Sequence, residues 1–200
     1  MRVAALAAGI SGLVALPFVF LQVRYPSWFS RLLARSAYLG YALPGVVVAL
    51  ALVFFGANYL GDLRRLFGIT SYRSLALLLF AYTVRFVPQA LGPARAALLQ
   101  ISPHLEESGL TLGRSRARVF LSVTLTLMRS GLVAGMALVF LTAMKELPVT
   151  LLLAPTGYDT LATRIWSAST EAFYARAAVP ALILVIMSAL SLVFILEPDD

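Results

Sequence analysis

The sequence is poor in the residues on which soluble proteins and metal centres depend. It contains no cysteine and one histidine in 200 residues, and charged residues make up 12% of the chain. A soluble domain usually carries about 25% charged residues. These scarcities exclude a soluble globular domain, a disulfide scaffold and a zinc-ribbon module. With His104 as the single histidine, the sequence predicts no tight transition-metal site, and it predicts no cofactor.

Apolar residues are abundant instead, at 60% of the chain with a mean hydropathy of +0.90. The few polar residues could not cover a core built from so many apolar ones, so lipid must form part of the protein's surroundings. A spanning helix needs about 20 mostly apolar residues, and lipid requires that each backbone group be satisfied within the segment. We therefore predict an all-α integral membrane protein, a single transmembrane domain over residues 1–200. Its spans, about five in number, are expected at 3–23, 38–60, 74–92, 131–153 and 177–196.

Arginine supplies almost all of the positive charge, since the 16 basic residues include a single lysine. We attribute the net charge of +7 to arginines that flank the spans, and predict membrane lipid and no nucleic acid as a partner. Segments 24–37 and 93–130 hold eight arginines, against six in the N-terminus and segments 61–73 and 154–176. This bias places 93–130 in the cytoplasm, the N-terminus outside and the 197–200 tail inside. An outside N-terminus indicates a missing preceding span.

The 93–130 segment is long, polar and carries the signals of a short helix. Ser102 is a typical N-cap residue before Pro103 at the first helical position. Glu106 and Glu107 follow in the opening turns, where the helix dipole favours negative charge.

Two glycines, Gly109 and Gly113, are four residues apart and are expected on one face of the same helix, although Gly113 could also end it. Glycine permits close backbone approach to a partner. The pattern leaves two interpretations open: a surface helix with arginines as orientation anchors, or a docking helix.

The residues Glu107-Ser108-Gly109-Leu110-Thr111-Leu112-Gly113, with Phe120 and Val123-Thr124-Leu125 after them, resemble the EAA loop of ABC importer permeases. The family's usual proline is Thr126 here. The resemblance implies that this cytoplasmic helix sits in a groove of an ABC ATPase subunit. The residues assigned to ATPase coupling on this basis are His104, Leu105, Glu106, Glu107, Gly109, Gly113, Arg114 and Phe120.

Four further stretches resemble the C-terminal half of iron(III) ABC transporter permeases: Leu43-Pro44-Gly45-Val46-Val47, Val84-Arg85-Phe86-Val87-Pro88, Lys145-Glu146-Leu147-Pro148 and Thr160-Leu161-Ala162-Thr163-Arg164. The resemblance implies a MetI-like, type I ABC importer fold in the cell inner membrane, with several passes, that carries ferric iron. It implies three partners: an ABC ATPase, a second permease half or subunit, and a periplasmic substrate-binding protein.

No G-x-x-x-x-G-K-[ST] motif occurs in the chain, so the chain is not expected to be an enzyme, and a separate subunit would hydrolyse ATP. G-x-S-x-G and H-E-x-x-H are absent as well, which disfavours an intramembrane enzyme. Two further interpretations stay open. The chain could be a permease for thiamine, sulfate or a polyamine, or a non-catalytic membrane assembly or channel subunit.

Charged residues inside the apolar runs are the candidates for the translocation path: Lys145, Glu146 and Arg85. Charges within a membrane are energetically unfavourable and commonly functional, although a structural pair or snorkelling would also explain them. Lys145 lies about 14 residues, or roughly 21 Å, from the cytoplasmic end of its span. Arg85 is expected nearer the cytoplasmic end of its own span, and Pro148 predicts a kink.

Two weaker signals complete the sequence. Gly131-x-x-x-Gly135 predicts a seat for a neighbouring helix. Ferric iron prefers oxygen ligands, and a minor interpretation assigns such ligands to the outer-loop residues Tyr158, Asp159, Glu171 and Tyr174.

Overall fold

The computed structural model describes residues 1–67 and 74–196, with side chains described for 1–59 and 74–193. Arg73 and the 197–200 tail, both used in the orientation argument, lie outside the described residues, as do the side chains of Arg64 and Arg65. The described residues of the chain form helices and short connections, with no strand among them. Its elements are α1 (Arg2–Arg24), α2 (Trp28–Ala42), α3 (Gly45–Phe67), α4 (Leu75–Gln100), α5 (Pro103–Thr111), α6 (Arg116–Val119), a π-helical turn (Phe120–Thr124), α7 (Leu125–Leu127), α8 (Arg129–Lys145), α9 (Pro148–Leu153), α10 (Leu161–Thr170) and α11 (Tyr174–Leu196).

Three helices are long and apolar enough to cross a membrane, and they are α1, α4 and α11. The number of candidate spans within the described residues rises to as many as five if each of two bent helix pairs counts as one span. In one pair α2 meets α3 at 100°, and in the other the stretch Arg116–Leu127 meets α8 at 67°. The predicted all-α class is therefore confirmed, and the predicted number of about five spans lies at the upper end of the three to five candidates.

The bounds predicted for the second span, 38–60, are wrong. Residues 38–42 belong to α2, which begins at Trp28 in a segment expected to be a loop, and α3 begins at Gly45. Leu43 is extended, with φ −80° and ψ 138°. Pro44 explains this conformation, because proline clashes with a helical residue before it.

The third span also differs from its predicted range of 74–92, because α4 continues to Gln100 through Pro88 and Pro93. Membrane helices tolerate internal prolines, since neighbouring groups satisfy the freed carbonyls. Residues 93–100 of the expected coupling loop are thus the last turns of a helix. The fourth predicted span, 131–153, is interrupted where α8 ends at Lys145 and α9 begins at Pro148.

The core lies where α1, α4 and α8 pack together. Small residues bring the backbones close. A Cβ atom on Gly131 would lie 2.6 Å from the carbonyl oxygen of Pro93, and one on Gly135 would lie 2.9 Å from Cα of Ala90. The close helix packing predicted at Gly131 and Gly135 is therefore present, and the helix packed there is α4 of the same chain.

Candidate functional site

The predicted short helix of the 93–130 segment is present as α5. Ser102 is its N-cap, and the backbone N–H of His104 donates to the Ser102 hydroxyl at 3.4 Å. Glu106 lies in the first turn, as the dipole argument requires.

A glycine-based cap ends α5. The N–H of Gly113 donates to the carbonyl of Leu110 at 3.0 Å, and the N–H of Arg114 donates to that of Gly109 at 3.3 Å. Together these bonds form a Schellman motif, which requires a left-handed residue at its centre. Gly113 occupies that position with φ +78°.

The expectation that Gly109 and Gly113 share a helix face is wrong, since Gly113 lies beyond the last residue of α5. Gly109 faces the chain's own α6 instead. A Cβ atom at Gly109 would lie 2.9 Å from Cγ2 of Val119. Its small size therefore serves packing within the coupling segment, which we define as residues 101–128.

Glu106 is turned towards the membrane helices. One of its carboxylate oxygens, Oε1, accepts hydrogen bonds from Nε and Nη2 of Arg24 at 3.0 and 2.9 Å, and from the hydroxyl of Thr124 at 3.0 Å. Nη2 of Arg24 also donates to the carbonyl of Ile101 at 3.0 Å. The Arg24 and Glu106 side chains are 11% and 17% exposed. We call this cluster of Arg24, Ile101, Glu106 and Thr124 the latch, because it ties α5 to the end of α1 and to the π-helical turn.

Other predicted coupling residues point outward. His104, Leu105 and Glu107 are exposed on α5, and Nδ1 of His104 lies 2.9 Å from Oε2 of Glu107. Arg114 is exposed as well. The eight predicted residues thus divide into an outward face that is free to meet a partner and an inward set that holds α5 in place.

Phe120 belongs to the inward set. Its ring packs edge-on against Phe20 of α1, with centroids 5.2 Å apart. Phe120 opens the π-helical turn, and the helical path then breaks at Met128 with φ −91° and ψ 3°. The break before the span is therefore present although Thr126 replaces the family's usual proline.

The intramembrane charges meet at a second place. Nη1 of Arg85 lies 2.7 Å from Oε2 of Glu146, and the two side chains are 12% and 11% exposed. Within α4, Arg85 lies about 15 Å from Leu75 and about 22 Å from Gln100 at 1.5 Å per residue. Lys145 is exposed and does not join the ion pair. The three predicted path residues are therefore a largely buried ion pair and an exposed neighbour that takes no part in it.

Two helix breaks converge on this ion pair. Glu146 is itself the extended residue between α8 and α9, with φ −72° and ψ 114°. Gly45 begins α3 so close to the pair that an added Cβ would lie 2.7 Å from both Nη1 of Arg85 and Oε1 of Glu146. The backbone N–H of Val149 donates to Oε1 of Glu146 at 3.4 Å. We call Gly45, Arg85 and Glu146 the charged junction.

Polar side chains hold the junction's backbone. The hydroxyl of Thr150 donates to the carbonyl of Glu146 at 2.6 Å, and the hydroxyls of Tyr82 and Thr150 are hydrogen-bonded to each other. Nε and Nη1 of Arg85 are buried and make no hydrogen bond to any of the described residues, although Nη1 lies 2.7 Å from Oε2 of Glu146. The guanidinium of Arg85 therefore forms an ion pair with Glu146, while N–H donors at its Nε and Nη1 make no hydrogen bond to the described residues.

Sequence reasoning missed the partners in both places. The sequence identified Arg24 only as one of the arginines in the loops, and Thr124 only as part of the stretch that resembles the EAA loop. Gly45 belongs to the family-like stretch Leu43-Pro44-Gly45, but the sequence did not predict its contact with Arg85 and Glu146. Nothing in a linear pattern pairs Arg24 with Glu106 across 82 residues.

The minor interpretation of an iron site in the outer loop gains no support. Asp159 lies 3.7 Å from Arg164, and among the side chains described, those of residues 1–59 and 74–193, no group of three His, Asp or Glu is arranged to hold a metal ion.

Comparisons with known proteins identify a family and several relatives of this chain. The family model described as "binding-protein-dependent transport system inner membrane component" matches residues 7–198. The chain is 37% identical over 195 residues to the Fe(3+)-transport system permease protein FbpB 2 of Haemophilus influenzae, covering 98% of this chain and 37% of that protein. It is 33% identical over 154 residues to the molybdenum transport system permease protein ModB of Escherichia coli, covering 76% of this chain and 67% of that protein.

Two solved structures share the fold. One is an amino acid ABC transporter with histidines, at a TM-score of 0.61 and 15% identity, over 97% of this chain and 88% of the other. The second is a bacterial alginate ABC transporter in complex with an alginate-bound periplasmic protein, at a TM-score of 0.61 and 18% identity, over 98% and 74%. At these identities the likeness is one of fold.

Proposed function

The chain belongs to the family of binding-protein-dependent transport system inner membrane components, and we propose that it lines part of the translocation path of an ABC importer. The observation that carries the proposal is α5, a capped helix with an outward face of His104, Leu105 and Glu107 and an inward latch. A helix fixed in this way transmits a push applied to its outer face. We therefore assign the outward face to contact with a cytoplasmic ATPase subunit.

Helices connect α5 to the charged junction on both sides. α5 is linked back through Ile101 and Ser102 to α4, which carries Arg85, and forward through α6, the π-helical turn and α7 to α8, which ends beside Glu146. The 17 residues of α8 span about 25 Å at 1.5 Å per residue. Movement of α5 therefore reaches both members of the ion pair, and relative movement of α4 and α8 would separate them.

The proposed importer requires three partners besides this chain. The chain has no phosphate-binding loop motif, so ATP hydrolysis is assigned to the ATPase subunit. We treat residues 1–200 as one transmembrane domain that faces a second permease half, since alternating access requires two bodies that rock against each other. A periplasmic binding protein would deliver the substrate from the other side of the inner membrane.

Ferric iron is the substrate that we propose, because the relative that covers nearly all of this chain is an Fe(3+) permease. The carboxylate of Glu146 is the hard oxygen donor on the path, and Arg85 neutralises it when no cation is present. The second candidate is an oxyanion, favoured by the molybdenum relative and by the unused N–H donors of Arg85.

Substrate class is tested by uptake into proteoliposomes that contain the assembled transporter, with radiolabelled ferric iron and molybdate compared. For iron, we expect Glu146→Gln to reduce uptake severely. For an oxyanion, Arg85→Gln would be the damaging change. Lys145→Gln is the control, since this neighbouring charge is exposed. Transport that is unchanged in both Arg85 and Glu146 variants would remove the junction from the path.

ATPase docking is tested separately. The assembled transporter is purified through a tag on this chain, and co-purified ATPase is quantified by ATP hydrolysis. We expect Leu105→Ala to reduce ATPase recovery, because it truncates an apolar side chain that is 48% exposed on the outward face. Trp166→Ala is the control, since it truncates another exposed apolar residue on the distant α10. Equal recovery with both variants would contradict the docking assignment.

A further inference from the structure

A cavity of about 630 Å³ opens between the last turns of α1 and the coupling segment. Leu13, Leu16 and Phe20 form its apolar wall on α1, and Leu110 of α5 lies opposite. Glu106 and Arg116 supply charge at the edge. The volume lies in the range of about 300–1,000 Å³ that is typical of small-ligand sites.

The apolar wall continues along the membrane helix. Leu6, Ile10, Leu13 and Pro17 recur at helical spacing on one side of α1, and Leu6 and Leu13 are 55% and 69% exposed. None of the described residues covers this stripe. Because α1 is long and apolar enough to span a membrane, the stripe offers a surface suited to acyl chains, and the cavity continues that apolar surface inward.

Charge at the edge of the cavity is positive. Arg116 lines it, and Arg114 and Arg118 flank Arg116 on the same exposed stretch. None of the ion pairs of the described residues uses these three arginines. The one acidic residue in the wall, Glu106, is already neutralised by Arg24. Basic pockets between membrane helices on the cytoplasmic side favour anionic lipid headgroups.

We propose that this cavity binds an anionic phospholipid, with its phosphate at Arg116 and one acyl chain along Leu13, Leu16 and Phe20. The occupant would contact Glu106 and Thr124, both of which line the cavity and belong to the latch. Bound lipid would therefore stiffen the attachment of α5 to α1, which makes coupling sensitive to the anionic lipid content of the membrane. Lipid binding at this cavity does not depend on the substrate or on the ATPase, whereas its effect on coupling rests on the proposed function.

The test is phosphatidylglycerol binding to the assembled transporter, measured by native mass spectrometry and by titration in nanodiscs of neutral phosphatidylcholine. We expect Arg116→Gln to weaken binding about fivefold, the effect of one basic side chain near a headgroup. Ala117→Phe should abolish binding at this site without a change of charge, because Ala117 lines the cavity. Arg35→Gln is the control, since it removes an exposed arginine of α2 that does not line the cavity.

Three results would overturn the proposal. Phosphatidylglycerol could bind both variants as tightly as it binds the unmodified protein, or phosphatidylcholine could bind equally well. The third concerns a protein occupant. Because the chain has no cysteine, Ala117→Cys can be labelled uniquely within it with a photoreactive group. Cross-links to lipid support the proposal, and cross-links to the second permease half or to the ATPase show that a protein segment fills the cavity.

Discussion

The latch gives the sharpest quantitative prediction. Replacing Glu106 by Gln removes the charge that receives two guanidinium bonds and one hydroxyl bond, while the shape of the side chain is kept. Hydrogen bonds to a charged group contribute about 1.5–3 kcal/mol each, and an unpaired buried charge adds a penalty. The Arg24 and Glu106 side chains are still 11% and 17% exposed, so solvent weakens these interactions. We therefore expect Glu106→Gln to lower the free energy of local opening of α5 by about 2 kcal/mol.

The assay is native-state hydrogen exchange of the α5 amides in the assembled transporter. A change of about 2 kcal/mol corresponds to roughly thirtyfold faster exchange through local opening. Arg24→Gln should give a similar change, and the double variant should show a coupling energy of about 1–2 kcal/mol. Glu107→Gln is the matched control, since its pairing with His104 is largely exposed and such pairs contribute about 0–1 kcal/mol. A coupling energy near zero, or equal effects of Glu106→Gln and Glu107→Gln, would refute the latch.

Three glycine substitutions test the remaining geometry. Gly45→Ala places a Cβ 2.7 Å from the ion pair, so we expect uptake to fall strongly while the amount of assembled protein in the membrane changes little. Gly113→Ala forces a side chain into φ +78° and should speed hydrogen exchange at the end of α5, with a destabilisation of about 1 kcal/mol; unchanged exchange would show that the Schellman cap is unimportant. Gly135→Val should lower the thermal stability of the purified transporter, because its side chain would meet the backbone of Ala90 at 2.9 Å; an unaltered midpoint would contradict the tight packing of α4 on α8.

The sequence predicts local features of this fold well. The caps at Ser102 and Gly113, the small residues of α8 and the distortion at Pro148, expected as a kink and present as a break, are each marked by short local patterns, so a linear sequence contains them. The end of α4 was harder to predict, because Pro88 and Pro93 usually disfavour a helix and are here accommodated by packing.

Long-range pairings escape the sequence for a different reason. Arg24 and Arg85 look alike as isolated charges, and their partners Glu106 and Glu146 lie 82 and 61 residues away. Which arginine meets which glutamate is decided by how α1, α4 and α8 pack. The predicted residue set therefore contains both acidic partners and one of the two arginines, while the direction in which each points comes only from the structure.

The central claim is that the outward face of α5 couples a separate ATPase to transport. The most direct measurement is ATP-driven uptake of radiolabelled ferric iron by proteoliposomes that contain the assembled transporter, with ATP hydrolysis recorded in parallel, for the unmodified chain and for Leu105→Asp. We predict ATP-dependent accumulation by the unmodified protein and background uptake by the variant, in which a charge replaces an exposed apolar contact. Uptake by Leu105→Asp at the rate of the unmodified protein would contradict the claim.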